Sequence, residues 1–230
     1  PAAADADSIE VLAFFDHHLR GIGNDWGSRP TVRYFQTNED RWEGTSSWPP
    51  PHTSAATWYL DTGGDLTETA PAEPSAFLEY ISLPTNPVPS LCGALLAQGG
   101  EDNGGPGDLS VLEERADVLA FTSPPATLPL AIAGDASVTL WVQCDAVDTD
   151  LAVRLTEVYP DGRSMWLADG IRRASLRNGF STRQFLAPAG VYEVTVVLPP
   201  LAVTIPPGHR LRLLVMPSNY DRFDVNMQDG

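Results

Sequence analysis

Through the second half of the chain, apolar side chains fall on every second residue, a spacing that fits strands with one face buried. Val138, Leu140 and Val142 alternate with Thr139 and Trp141, and Leu151, Val153 and Leu155 alternate with Ala152, Arg154 and Thr156. Tyr192, Val194, Val196 and Leu198 make a third row, and Leu211, Leu213 and Val215 a fourth. Pro160-Asp161-Gly162 follows the second row. Proline presets its own φ and glycine accepts the left-handed position, so a hairpin into a strand at 164–168 is expected. Shorter strand candidates lie at 31–37, 57–60, 76–82 and 117–122. Nineteen glycines and 21 prolines favour many short strands joined by turns over a helical bundle. Some nine or ten strands of this kind predict an all-β fold, a β-sandwich or jelly roll.

One segment breaks this pattern. Ile9, Leu12, Phe15, Leu19 and Ile22 recur at three- and four-residue steps, with Asp7 or Ser8 as a cap and Gly21 and Gly23 as stops. This predicts one amphipathic helix at 8–20. So short a helix is marginal alone in water, so it must dock, either on the β domain or on protein outside this sequence. The glycine-rich stretch 98–109 reads as a long surface loop.

Composition excludes several function classes. A formal net charge of −16 is incompatible with a cationic nucleic-acid surface and disfavours docking on anionic membrane. No apolar run is long enough to span a bilayer as a helix. Every basic residue is arginine, which fits coding drift in a GC-rich bacterial source. Cys92 and Cys144 form no C-x-x-C pair; so sparse a use fits reduced, separately buried thiols and favours a cytoplasmic setting, with a disulfide between them the other possibility. The chain starts at Pro1, so the natural N-terminus can lie upstream.

Catalytic constellations are missing from the sequence. No G-x-S-x-G elbow is present, and without a nucleophile no triad can be assigned. His17 and His18 are adjacent and point about 100° apart on a helix, which is wrong for joint metal ligation. His52 and His209 read as loop and structural residues. Asp145, Asp148, Asp150 and Asp161 invite calcium, but the EF-hand glycine and bidentate glutamate are missing, so acids at turns and strand ends are the favoured reading. No metal and no cofactor is expected. Six tryptophans, among them Trp58 and Trp166, could form a sugar platform or belong to the core.

Several of these segments are similar to one known family. The run from Asp148 to Leu155, then Val158 to Ser164, then Leu167 to Arg172, resembles the C-terminal domain of the cocaine esterase and X-Pro dipeptidyl-peptidase (CocE/NonD) family of serine hydrolases. So does PPGHRLRLLVMPSNYDRFDVN at 206–226; FFDHHLRG at 14–21 resembles the last helix of that family's hydrolase domain. VRYF, Trp42 and WPP at 48–50 resemble the start of its β domain. The likeness covers nearly the whole chain.

The resemblance implies a jelly-roll, galactose-binding-like domain at 25–230, preceded at 1–24 by the terminal helix of an upstream α/β-hydrolase domain. It also implies that the C-terminal end is truncated. Catalysis would use a serine, a histidine and an aspartate upstream of Asp7, through an acyl-enzyme, with none of the three in this chain. The implied partners are that hydrolase domain, a small ester or peptide substrate, and a second copy in a homo-oligomer. Phe14, Phe15 and His18 would face the hydrolase domain. Leu95, Leu96 and Ala97 would form a wall of the substrate pocket, Leu96 and Ala97 at the positions that contact the acyl or leaving group. Two departures stand out: Cys92 replaces a usual glycine, and Ala97 is smaller than the aromatic of the cocaine-cleaving branch. The other readings are a free-standing carbohydrate-binding jelly roll and a purely structural interaction domain.

Overall fold

The computed structural model describes residues 6–72, 76–94 and 104–230. Helix α1 (Ala6–Arg20) comes first. It takes in Asp7 and Ser8, which therefore lie within the helix and not before it. Gly21 ends it at φ +63°, with the Ile22 N–H returning to the Asp16 carbonyl. Ten strands follow among the described residues: β1 (Val32–Gln36), β2 (Arg41–Thr45), β3 (Tyr59–Leu60), β4 (Leu66–Thr67), β5 (Leu119–Thr122), β6 (Leu130–Val142), β7 (Asp150–Val158), β8 (Ser164–Arg173), β9 (Tyr192–Ile205) and β10 (Arg210–Met216). The expected all-β jelly-roll sandwich with one leading helix is the architecture found.

One layer is a four-stranded antiparallel sheet in the order β5-β10-β7-β8. The other is built on the long β6-β9 ladder, extended by the β1-β2 hairpin through a parallel bridge from Thr37 to Val203. The chain changes layer between β5 and β6, β6 and β7, β8 and β9, and β9 and β10. The four alternating rows meet between the layers: Leu151 and Val153 of β7, Val194, Val196 and Leu198 of β9, and Leu211, Leu213 and Val215 of β10 share one core. The turn at 160–162 joins β7 to β8 as expected, with Gly162 at φ +96°.

Three expectations change. The segment 76–82 is not a strand: it pairs with no neighbour, and Phe77 and Ile81 are both 77% exposed. Its apolar residues have β propensity, but propensity alone does not bring a segment into register with a neighbouring strand. β9 runs on past Leu198 through Pro199 and Pro200, which have no N–H to give a ladder. They fit because the register slips there, Gly134 facing Leu201 and Ala136 facing Leu198, so the prolines sit at a bulge opposite Asp135. The stretch 98–109 is not all surface loop, since Leu109 is fully buried.

β7 also departs from simple alternation. Every one of its residues but Leu155 is buried, on both faces. Ala152, expected to face outward, joins Leu214 and Met216 in a second core with Val88, Leu109, Leu112 and Val118. The segments 86–93 and 105–118 therefore form a third layer over the outside of the four-stranded sheet.

Candidate functional site

This third layer contains the residues on either side of the segment that holds Leu95, Leu96 and Ala97. Those three residues lie outside the described residues; the flanking ones do not. Gly93 and Gly105 exchange both backbone hydrogen bonds, at 2.6 and 2.8 Å, and close an antiparallel neck. Cys92, Gly93 and Gly105 have φ of +58°, +78° and +80°. The neck lies against Trp166: a Cβ on Gly93 would sit 2.9 Å from the indole Nε1, so only glycine suits both the dihedral and the approach. Cys92 faces the other limb, where a Cβ on Gly107 would meet its sulfur at 2.2 Å. Cys144 is a free thiol, so no disulfide joins the two cysteines.

The two limbs of the neck are anchored differently. The outgoing limb is stitched to 218–222. The Val88 N–H donates to Ser218 Oγ at 2.8 Å, the Tyr220 N–H donates to the Val88 carbonyl at 2.9 Å, and the Ser90 N–H donates to the Tyr220 carbonyl. Ser90 Oγ donates to Asn219 Oδ1 at 2.6 Å. The returning limb is held by β8: the Trp166 N–H donates to the Gly107 carbonyl at 2.9 Å, and Asp108 Oδ1 accepts from the N–H groups of Ser164 (2.9 Å) and Ser110 (3.0 Å).

Partial burial would raise the Asp108 carboxyl, but the Ser164 and Ser110 donors outweigh it and hold the group below its ordinary 3.8. A carboxylate with a depressed folded value stabilises above its unfolded value and loses that contribution as pH falls through the folded one. Asp108→Ala is therefore expected to lower the urea midpoint at pH 7, and the gap from the parent should close as pH falls below 3.8. A gap that stays constant down to pH 2.5 (roughly the acid limit of paired carboxylates) would show that the carboxylate charge contributes nothing.

Beneath the outgoing limb lies a buried polar cluster. Arg154 of β7 is 2% exposed and Asp169, its cross-strand partner on β8, is 5% exposed. Arg154 Nη2 donates to the Pro89 carbonyl at 2.9 Å and to Asn219 Oδ1 at 2.6 Å. Asn219 Nδ2 donates to Asp169 Oδ2 at 2.9 Å, and Arg222 Nη1 donates to the same oxygen at 2.5 Å. Burial lowers the Arg154 guanidinium to about 10, with Asp169 and Cys92 pulling upward and Arg222 adding to the fall.

Both linked segments, 86–93 and 218–222, fall within a region that matches a known family. Residues 24–230 match the family described as the X-Pro dipeptidyl-peptidase C-terminal non-catalytic domain. The chain belongs to this family. It is 34% identical over 226 residues to a cocaine esterase of Rhodococcus sp., covering 95% of this chain and 39% of that protein. It is 29% identical to a putative serine esterase of Mycobacterium bovis, covering 94% and 37%. The chain thus spans about two fifths of the length of the curated relatives it matches.

Solved structures agree. An aminopeptidase from a marine sediment Thaumarchaeota archaeon superposes with a TM-score of 0.85 at 29% identity, covering 96% of this chain and 38% of that one. An alpha-amino acid ester hydrolase gives 0.83 at 28%, covering 94% and 38%. A CocE/NonD family hydrolase from Staphylococcus aureus shares the fold at 18% identity and a TM-score of 0.66, covering 94% and 38%.

Several of the remaining candidates of this C-terminal domain have structural partners. Asp148 accepts from the Ser175 N–H and hydroxyl, both at 2.8 Å, Asp150 pairs with Arg173, and Asp161 with Arg163 in the hairpin turn. His209 Nδ1 lies 2.6 Å from Glu157 Oε1. Trp58 packs on the main core and Trp166 on the second one, so neither indole is a free-standing platform. On α1, Phe14 lies 5.3 Å from Phe15 and 4.6 Å from His18, and its edge meets Trp26 at 5.4 Å. Glu10 pairs with Arg29 and Arg33, which ties the helix to the chain entering β1. Ile9, Leu12, Phe15 and Leu19 remain 47–74% exposed along one side. Arg154, Asn219 and Ser90 escaped sequence reasoning as a group; the one available signal was an arginine set between Val153 and Leu155 in a strand.

Proposed function

We propose that this domain is the C-terminal part of a serine hydrolase that cleaves esters, amides or X-Pro peptides through an acyl-enzyme. Its role is to supply a wall to a pocket whose serine, histidine and aspartate stand on an upstream α/β-hydrolase domain. The observation that carries the reading is the Gly93–Gly105 neck: two backbone hydrogen bonds clamp together the ends of the segment that holds Leu95, Leu96 and Ala97. Those three residues form the wall. Residues 1–24 are the last part of the hydrolase domain and 25–230 the jelly roll. Phe14, Phe15 and His18 then lie at the junction, and the apolar side of α1 is covered by the hydrolase domain. Relatives described as esterases, an ester hydrolase and an aminopeptidase support this reaction class.

The purified 230-residue chain is expected to leave p-nitrophenyl esters intact, while the full-length protein hydrolyses them. In the full-length protein, Leu96→Ala should change kcat/KM between short and bulky acyl esters by about tenfold, the scale of removing a few methylenes from a pocket wall. Robust turnover by the isolated chain would overturn the non-catalytic role. An unchanged acyl preference would overturn the wall.

A further inference from the structure

We infer that Arg154 is a positioning residue: its buried guanidinium fixes the segment 88–93, and so sets the direction in which the chain leaves the neck. The inference deepens the pocket-wall reading and rests on it for the kinetic consequence, though not for the structural one.

The contacts explain why this side chain can do so. Arg154 stands on the outer face of β7 beside Ala152, where an apolar residue would fill the second core. It makes one bond directly to the outgoing limb, at the Pro89 carbonyl, and one through Asn219, whose Oδ1 also receives the Ser90 hydroxyl. Asn219 is 1% exposed and oriented at both ends, since its Nδ2 donates to Asp169. Arg222 reaches the limb as well: its backbone N–H donates to Ser90 Oγ at 3.2 Å while its side chain holds Asp169. The Arg154 and Asn219 side chains and the Arg222 backbone N–H, from two separated stretches of chain, therefore converge on Pro89 and Ser90, four and three residues before Gly93.

The cluster is poorly suited to stability alone. Taking a guanidinium out of water costs more than its pairing returns in many proteins, and apolar replacements often do as well. Here Arg154 Nη1 and Asp169 Oδ1 have no hydrogen-bond partner among the described residues, which adds to that cost. What the arrangement provides is direction. A planar guanidinium with two bonds from one nitrogen holds a loop carbonyl at a set place relative to β7, which an apolar side chain cannot do.

The test uses the full-length hydrolase with Arg154→Met and Arg154→Lys, read by amide hydrogen exchange and by kinetics on an ester series. In Arg154→Met, exchange at Gly93, Gly105 and Tyr220 should rise about tenfold while Val153 and Leu213 in the β7–β10 ladder stay protected. KM for bulky acyl esters should rise about fivefold, by more than kcat falls, as expected when binding geometry loosens. Arg154→Lys, which keeps a donor, should recover part of both changes. Ser90→Ala, a milder change, should move the same three amides by less, which keeps the test open if the methionine variant does not fold. Unchanged neck exchange in a folded Arg154→Met protein overturns the inference, and so does a uniform rise at all amides. A neck that loosens while neither Arg154→Met nor Leu96→Ala alters KM supports the positioning role and removes the pocket wall instead.

Discussion

Replacing Gly170 with alanine should cost the domain about 3 kcal/mol, at the upper end for one added methyl in a packed interior. Gly170 lies on β8, opposite Val153 of β7, where β8 passes across β9. A Cβ there would sit 2.5 Å from the Val197 carbonyl oxygen, 3.1 Å from Val196 Cγ1 and 3.3 Å from Leu198 Cδ2. The nearest atom is backbone, so no side-chain rotation relieves the contact. Either β8 or β9 must move, and β9 is fixed along its length by its ladder with β6. Urea denaturation at pH 7 measures the effect as a lower midpoint at constant m. A midpoint within error of the parent would mean that the two layers yield freely at this crossing.

Asp169→Ala should be as damaging for a different reason. Its carboxylate is 5% exposed and lies between Arg154, across the β7–β8 ladder, and Arg222, which bonds its Oδ2. Removing it leaves two guanidinium groups, one of them 2% exposed, with no counter-charge in the cluster. Breaking a buried pair from one side commonly costs about 3–5 kcal/mol. Removing Arg154 is milder, because Asp169 keeps Arg222 and Asn219. The asymmetry is the check: Asp169→Ala should lower the midpoint well beyond Arg154→Met. Equal losses would mean that the cluster is held by packing and not by charge.

The inner core was legible because its logic is local. Leu151, Val153, Val194, Val196, Leu211 and Leu213 occupy alternating positions and all face one core. The outer face of β7 was not legible, because Ala152, Arg154 and Thr156 look like a solvent face unless something covers them. What covers them is 86–93 and 105–118, irregular segments with no period of their own. The segment 76–82 failed in the opposite way: its residues favour a strand, but pairing depends on an open edge that composition does not reveal. At the site, Gly105 lay in the visibly glycine-rich stretch 98–109, whereas its pairing with Gly93 spans twelve residues and sits against Trp166. Resemblance directed attention to Cys92 and 95–97 and, separately, to the motif at 206–226. Only the structure joins them, through Val88, Ser90, Ser218 and Tyr220.

The order β5-β10-β7-β8 bears on how this domain emerges from a ribosome. β10 is the last strand along the chain, yet it runs between β5 and β7 and is paired on both sides. Until Arg210–Met216 has been synthesised, β5 and β7 have no common partner and each presents a bare edge. Ser218 to Arg222, which seat the outgoing limb of the neck, arrive later still. This layer therefore closes only after most of the domain has been synthesised, and a pause in translation between β9 and β10 prolongs exposure of β5 without its partner and of the open edge of the β7–β8 hairpin.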